Sequence, residues 1–129
     1  MSNKLISRFL LFFATLLLAF NAFSFESGVS GTILTSQLPV EARETLKLIR
    51  RGGPFPYEKD GSIFGNYERL LPQQKRGYYR EFTVKTPRVR HRGARRLITG
   101  GAPRSTAEIY YTVDHYRSFR RVIEQEVRR

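Results

Sequence analysis

Between Lys85 and Arg96 the chain reads KTPRVRHRGARR, with cations at Lys85, Arg88, Arg90, Arg92, Arg95 and Arg96. Five of the six are Arg, whose planar guanidinium holds a phosphate through two parallel N–H donors. A run of charge is ordinarily a solvated surface loop. This one leads from one strand-like stretch into another, so alternate arginines can point onto a sheet face. Glu81 stands just upstream and is the only carboxylate between Glu68 and Glu108. It reads either as a salt-bridge partner or as a base held among arginines. His115 lies in the segment YYTVDHY and is one of only two histidines, with His91. Alone it reads more readily as a structural histidine than as a chemical one. Together, a carboxylate, two arginines and a histidine on one face are what phosphodiester cleavage without a metal needs. The carboxylate takes the proton of a ribose 2′-hydroxyl, the arginines stabilise charge on the phosphorane, and the histidine protonates the leaving 5′-oxygen.

The composition narrows the alternatives. The chain has 129 residues, enough for one domain, and no cysteine, which excludes disulfides, thiolate zinc sites, iron–sulfur clusters and cysteine nucleophiles. Two histidines leave little for a multi-histidine metal site, so neither metal nor cofactor is expected. Lys and Arg number 23 against 11 acids, a net charge of +12, and 18 of the cations are Arg. The expected partner is therefore anionic, nucleic acid before membrane surface.

The elements that must position these residues follow from period and punctuation. Gly28–Ser36 (GVSGTILTS) suits a short strand. Leu38, Ala42, Leu46 and Ile49 share one helix face over 38–51, and Gly52-Gly53-Pro54 stops that helix. Pro54–Ser62 is a loop with a turn at Asp60-Gly61, a short strand starts at Ile63-Phe64, and Gly65-Asn66 is a turn dipeptide. Tyr78–Thr86 (YYREFTVKT) is the clearest strand, with Tyr79, Glu81 and Thr83 on one face and Tyr78, Arg80, Phe82 and Val84 on the other. Arg95–Thr99 and Ile109–Thr112 are further strands, while Tyr116–Val127 fits either a last strand or a frayed helix. One helix followed by several strands with turn-rich links predicts an α+β fold, the N-terminal helix packed on a small twisted antiparallel β-sheet.

Residues 1–24 stand apart. Lys4 and Arg8 precede the unbroken apolar run Phe9–Phe20, and small residues follow at Ala22 and Ser24. That is the order of a cleaved secretory signal, and the run is shorter than the roughly 20 residues that span a bilayer. The expected product is a secreted, extracellular or periplasmic domain of residues 25–129, cut near Ser24/Phe25, with no stable membrane insertion and a net charge lowered to +10 by loss of Lys4 and Arg8.

From Val29 to Phe119 the chain resembles the microbial guanyl-specific ribonucleases of the barnase family in their short bacterial form. The stretches that carry the resemblance are Val29–Leu34 (VSGTIL), Leu38–Ile49, Gly53–Tyr57 (GPFPY), Asp60-Gly61, Gly77–Val84 (GYYREFTV), Thr86-Pro87, Arg92–Gly100 (RGARRLITG) and Asp114-His115-Tyr116. Each is weak alone, and their order and spacing are specific. The resemblance implies Glu81 as general base, His115 as general acid, and Arg92 and Arg96 as the phosphate-binding arginines. Tyr116 would line the phosphate and base site. Phe64-Gly65-Asn66-Tyr67-Glu68 would be the guanine-recognition loop. There Phe64 stacks under the base, backbone N–H groups near Asn66 and Tyr67 donate to the guanine carbonyl, and the Glu68 carboxylate accepts the ring N–H and the amino group.

Four departures from that pattern are visible: Gly65 stands in place of Gln, Tyr67 in place of Arg and Val113 in place of Gly, and apolar residues near Leu34 and Val127 stand where relatives carry a disulfide. The expectation is thus a monomeric endoribonuclease acting on RNA after guanosine through a 2′,3′-cyclic phosphate, with a barstar-like protein as a candidate inhibitor. The rival reading is a cationic nucleic-acid-binding protein that grips phosphates without cutting. A membrane-active toxin lacks a second apolar stretch.

Overall fold

The computed structural model describes residues 28–124. The signal-like segment 1–24 and the position of Val127 lie outside them. Helix α1 spans Val40–Arg51 and begins directly after Pro39, whose carbonyl accepts the N–H groups of Ala42 and Arg43. Ala42, Leu46 and Ile49 are buried on one face, and Leu38 is buried just before the first turn, so the predicted face is the packing face. The helix stops at Gly52, which adopts a left-handed φ of 86° that costs a residue without Cβ least. Its N–H and that of Gly53 both return to the Leu48 carbonyl at 2.9 Å, satisfying the orphan end of the helix.

Among the described residues six strands form one sheet: β1 (Thr32–Leu34), β2 (Ser62–Ile63), β3 (Tyr79–Thr83), β4 (Arg96–Gly100), β5 (Ile109–Thr112) and β6 (Arg120–Ile123). Their order is β1-β6-β5-β4-β3-β2. The expectation of an antiparallel sheet holds from β2 to β6, but β1 runs parallel to β6, so the sheet is mixed. A parallel pair needs a long crossover, and here the helix and the whole antiparallel meander form it. Over its described part, to Glu124, the open choice for Tyr116–Val127 falls to a strand: the chain turns at His115 and Tyr116, at φ 55° and 71°, and enters β6 at Arg120.

The sheet has two unlike faces. Phe82, Val84, Leu97, Ile109, Tyr111 and Val122 pack with Leu38, Ala42, Leu46 and Ile49 of the helix side. Burying a Leu or Ile side chain fully is worth about 1.5–3 kcal/mol, so this face carries much of the fold. Leu71, Tyr79, Ile98, Tyr110 and Phe119 form a second cluster on the opposite face. Alternation predicts Tyr78 on the helix face, but it packs against this second cluster, its ring edge-on to Tyr79 at 4.9 Å. Tyr78 precedes the first ladder residue of β3, so strict alternation does not govern it.

Candidate active site

Strand register sets the floor of the open face. Thr83 on β3 lies opposite Arg96 on β4, which lies opposite Thr112 on β5. Paired residues of neighbouring strands share a face, so these three form one row, with Glu81 and Ile98 in the next. Arg96 is only 2% exposed. Its Nη1 donates to the carbonyls of Arg95 at 2.7 Å and Gly93 at 3.0 Å, while its buried Nε has no partner. A buried guanidinium fixed through one nitrogen holds its positive charge in a set place beneath the open face.

Arg92 reaches the same floor from the loop before β4. Its Nε and Nη2 donate to Thr83 Oγ1 at 3.1 and 2.9 Å, and Nη2 also meets Glu81 Oε1 at 3.2 Å. The turn that allows this contains Gly93, at φ 68°, where an added Cβ would lie 2.4 Å from Thr86 Oγ1. Glu81 therefore sits mid-strand with a cation over it, and both remain partly accessible.

Asp114 builds the loop that carries the histidine. Its Oδ1 accepts the Thr112 hydroxyl at 2.8 Å and the Ser118 N–H at 2.9 Å, and its Oδ2 accepts the Ser118 hydroxyl at 2.6 Å. Desolvation by burial pushes the Asp114 carboxyl upward, but the hydrogen bonds from Ser118 and Thr112 outweigh it and hold the group below its usual range. The His115 N–H is tied to the Ala94 carbonyl at 3.0 Å, leaving its ring exposed beside Tyr116 at 4.8 Å. Burial pushes the Tyr116 hydroxyl above its ordinary value; the Glu81 charge adds to this and Arg96 opposes it. Tyr116 thus stands within electrostatic reach of both, with the Arg96 guanidinium 6.0 Å from its ring.

A cleft of about 260 Å³ opens beside this floor, lined by Phe64, Asn66, Tyr67, Glu68, His115 and Tyr116 together with Leu70 and Phe119. Phe64 lies 5.0 Å from Tyr116 and 5.9 Å from Phe119, ring to ring, giving the cleft an aromatic base. The Asn66 side chain is already committed. It donates to the Leu71 carbonyl at 3.0 Å and accepts the Leu71 N–H at 3.1 Å. That clamp holds Asn66 at φ 52° and commits one carboxamide donor and the carboxamide oxygen to Leu71. The cleft is lined by Phe64, Asn66, Tyr67 and Glu68 of the recognition loop, but not Gly65, together with Tyr116 and His115. Glu81, Arg92 and Arg96 do not line it; Tyr116, in contact with both regions, joins the two halves.

A family model for ribonuclease matches residues 22–123. The chain belongs to this ribonuclease family. It is 57% identical over 91 residues to guanyl-specific ribonuclease Sa of Kitasatospora aureofaciens, covering 70% of this chain and 92% of that protein. It is 50% identical over 88 residues to guanyl-specific ribonuclease St of Saccharopolyspora erythraea, covering 68% and 83%. Among solved structures, ribonuclease Sa2 with guanosine-2′-cyclophosphate superposes with a TM-score of 0.67 at 41% identity, over 76% of this chain and 99% of that one.

Several residues of this ribonuclease escape a reading of the sequence. Alternation puts Thr83 on the correct face but does not show it as the acceptor that orients Arg92. Asp114 reads only as part of a motif, although an Asp two residues after a Thr and four before a Ser is a recognisable side-chain clamp. Leu70 and Phe119 give no signal beyond hydrophobicity. Conversely, Lys85, Arg88 and Arg90 stay exposed, and His91 spends its Nδ1 on the Gly93 N–H. Among the described residues no three His, Cys, Asp or Glu side chains cluster as a metal site.

Proposed function

We propose that the protein is a secreted endoribonuclease that cuts RNA on the 3′ side of guanosine without a metal. The observation that carries this is the Glu81–Arg92–Thr83 array over buried Arg96, adjoining a cleft that holds both Glu68 and His115. A protein that merely gripped phosphate would gain nothing from Glu81, whose negative charge among the arginines repels the ligand. As a base the same group has work to do. Glu81 takes the proton of the ribose 2′-hydroxyl, and the 2′-oxygen attacks phosphorus. The bond to the 5′-oxygen breaks as His115 protonates that oxygen, leaving a 2′,3′-cyclic phosphate. In the second step His115 takes a proton from water as the water oxygen attacks phosphorus, and the bond from phosphorus to the 2′-oxygen breaks as Glu81 returns a proton to that oxygen, giving a 3′-phosphate. Arg92 and Arg96 stabilise the charge that develops on the phosphorane in both steps.

Guanosine is the base that fits a recognition loop with one carboxylate. It offers a ring N–H and an amino group side by side to Glu68, whereas adenine sets a bare ring nitrogen against it. Phe64 lies beneath the base, and the backbone near Asn66 and Tyr67 faces its carbonyl. The names of the relatives and the guanosine cyclophosphate bound to ribonuclease Sa2 support this choice. Residues 1–24 direct export and are removed, and the enzyme works as a monomer that a barstar-like protein would block at the same groove.

The test is kcat/KM on GpC and ApC, with EDTA present, for the parent and Glu68→Ala. The parent should prefer GpC, and the variant should flatten that ratio while still cutting. An unchanged ratio removes Glu68 from the site, and loss of parental cleavage in EDTA removes the metal-free mechanism.

A further inference from the structure

Glu81 and Thr83 hold Arg92, yet the strand that carries them has a neighbour on its outer side for only part of its length. β2 is two residues long, Ser62 and Ile63, paired with Glu81 and Arg80. Continuing that register would set Asp60 opposite Thr83, but the ladder ends at Ser62. The Val84 N–H turns inward to the Arg95 carbonyl, so the Thr83 N–H turns outward, where no strand meets it. The Asp60 carboxylate takes it instead, Oδ1 accepting the Thr83 N–H at 2.7 Å. A side chain thus replaces the carbonyl that a longer β2 would supply. Asp60 is itself anchored in its loop. Its Oδ2 accepts the Tyr57 N–H at 3.2 Å, and its own N–H donates to the Tyr57 carbonyl at 3.0 Å. Gly61, at φ 86°, donates its N–H to the Glu81 carbonyl at 2.8 Å. On this edge, therefore, Glu81 is fastened by backbone and Thr83 by the Asp60 side chain. Asp60 stands in neither of the two ion pairs among the described residues, and it does not line the recognition cleft.

We propose that Asp60 is a positioning residue for RNA cleavage: through the Thr83 N–H it fixes the hydroxyl that orients Arg92. The proposal rests on Arg92 acting in cleavage. Thr83 Oγ1 accepts both Arg92 Nε and Nη2, at 3.1 and 2.9 Å, so the guanidinium is aimed from one oxygen. That oxygen holds its aim only while its own backbone stays in place. At an edge with no strand beside it, the charge-assisted bond from Asp60 keeps residue 83 there. Asp60 thus acts at one remove from the phosphate. It helps to hold a group that stabilises the transition state, so its effect belongs in kcat and not in KM.

The experiment measures kcat and KM on GpC, with urea unfolding of the same samples, for the parent, Asp60→Ala, Asp60→Asn, Thr83→Val, Arg92→Ala and the double variant Asp60→Ala, Thr83→Val. Trimethylamine N-oxide is present in the assays to keep destabilised variants folded. Asp60→Ala should lower kcat about tenfold with KM within about twofold, the usual cost of a hydrogen bond to a charged group. Asp60→Asn keeps a carbonyl oxygen for the Thr83 N–H and sets its amide NH2 against the Tyr57 N–H. It should therefore lose stability while returning kcat to within about threefold of the parent. In the Thr83→Val background, Asp60→Ala should lower kcat by less than about twofold more, since both act through one hydroxyl. An Asp60 that served stability alone would lower stability in both of its variants and kcat in neither. If Asp60→Ala does not fold, Asp60→Glu takes its place with the same expectation, because its extra methylene displaces the carboxylate from Thr83. Parental kcat in the folded Asp60 variant, an equal loss in Asp60→Asn, or full additivity with Thr83→Val overturns the positioning role alone, provided that Arg92→Ala is impaired. Parental kcat in Arg92→Ala removes Arg92 from the reaction and the role of Asp60 with it.

Discussion

The basic run divides into two regions that look alike in sequence and differ in the fold. At its outer end Lys85, Arg88 and Arg90 project from an exposed loop, with Arg88 at φ 68°. At its inner end Arg96 is buried against backbone carbonyls and Arg92 is fastened to Thr83 and Glu81. All of these cations attract RNA from a distance. Only those whose guanidinium is fixed before substrate arrives can favour the transition state over the ground state, because they do not have to be reoriented during reaction. A flexible charge in water, by contrast, is screened and contributes mainly to encounter.

The largest effect that would test this division is at Arg96. Arg96→Ala should lower kcat by roughly 10²–10³-fold, the usual cost of removing a preorganised donor. Stability should fall as well, by about 1–3 kcal/mol, as the carbonyls of Gly93 and Arg95 lose a charged donor. Steady-state kinetics and urea unfolding read the two separately. A kcat within threefold of the parent would erase the distinction between the inner and outer ends.

A smaller effect sharpens the comparison by leaving the charge in place. Thr83→Val keeps the shape of the side chain and removes the oxygen that orients Arg92. Loss of a hydrogen bond to a charged group is worth about 1.5 kcal/mol, so kcat should drop on the order of tenfold with KM little changed. Combined with Arg92→Ala it should add almost nothing, since residues acting as a unit are not additive. Full additivity in that double-mutant cycle would mean that Thr83 acts on something other than Arg92.

The smallest effects belong to the outer end. Arg88→Ala and Arg90→Ala should leave kcat within about twofold and stability within about 0.5 kcal/mol. Their trace should be in salt dependence. Removing one cation that neutralises a phosphate makes the slope of log affinity against log salt shallower by roughly 0.7 on single strands. Titrating KM against NaCl measures this, and a kcat loss at Arg88 or Arg90 equal to that at Arg96 would refute the division.

Much of the fold was legible because it rests on local rules. The helix face Leu38, Ala42, Leu46 and Ile49, the Gly52 stop and the strand at Ile109–Thr112 follow from period and backbone preference alone. Where the sequence offered two forms, as over Tyr116–Val127, the missing information was long-range. Neither period nor propensity shows that Val122 will pair with Ile33 of the first strand. The same limit turned an expected antiparallel sheet into a mixed one.

For the site, sequence alone determined the inventory: one isolated carboxylate, an arginine-rich run, a histidine after an aspartate, and no cysteine to offer any other nucleophile or thiolate ligand. Residue type limits what chemistry is available, and it does so wherever the residues end up. The tertiary structure decided which of those groups meet. Register places Arg96 beside Thr83, the Gly93 turn brings Arg92 back over Glu81, and the Asp114 clamp sets His115 at the rim of the cleft. The clamp is local, running from Thr112 to Ser118, but the contacts of Arg96 and Arg92 join strands and loops eleven or more residues apart. Their geometry is fixed by pairing and packing across the whole sheet, which local sequence does not encode.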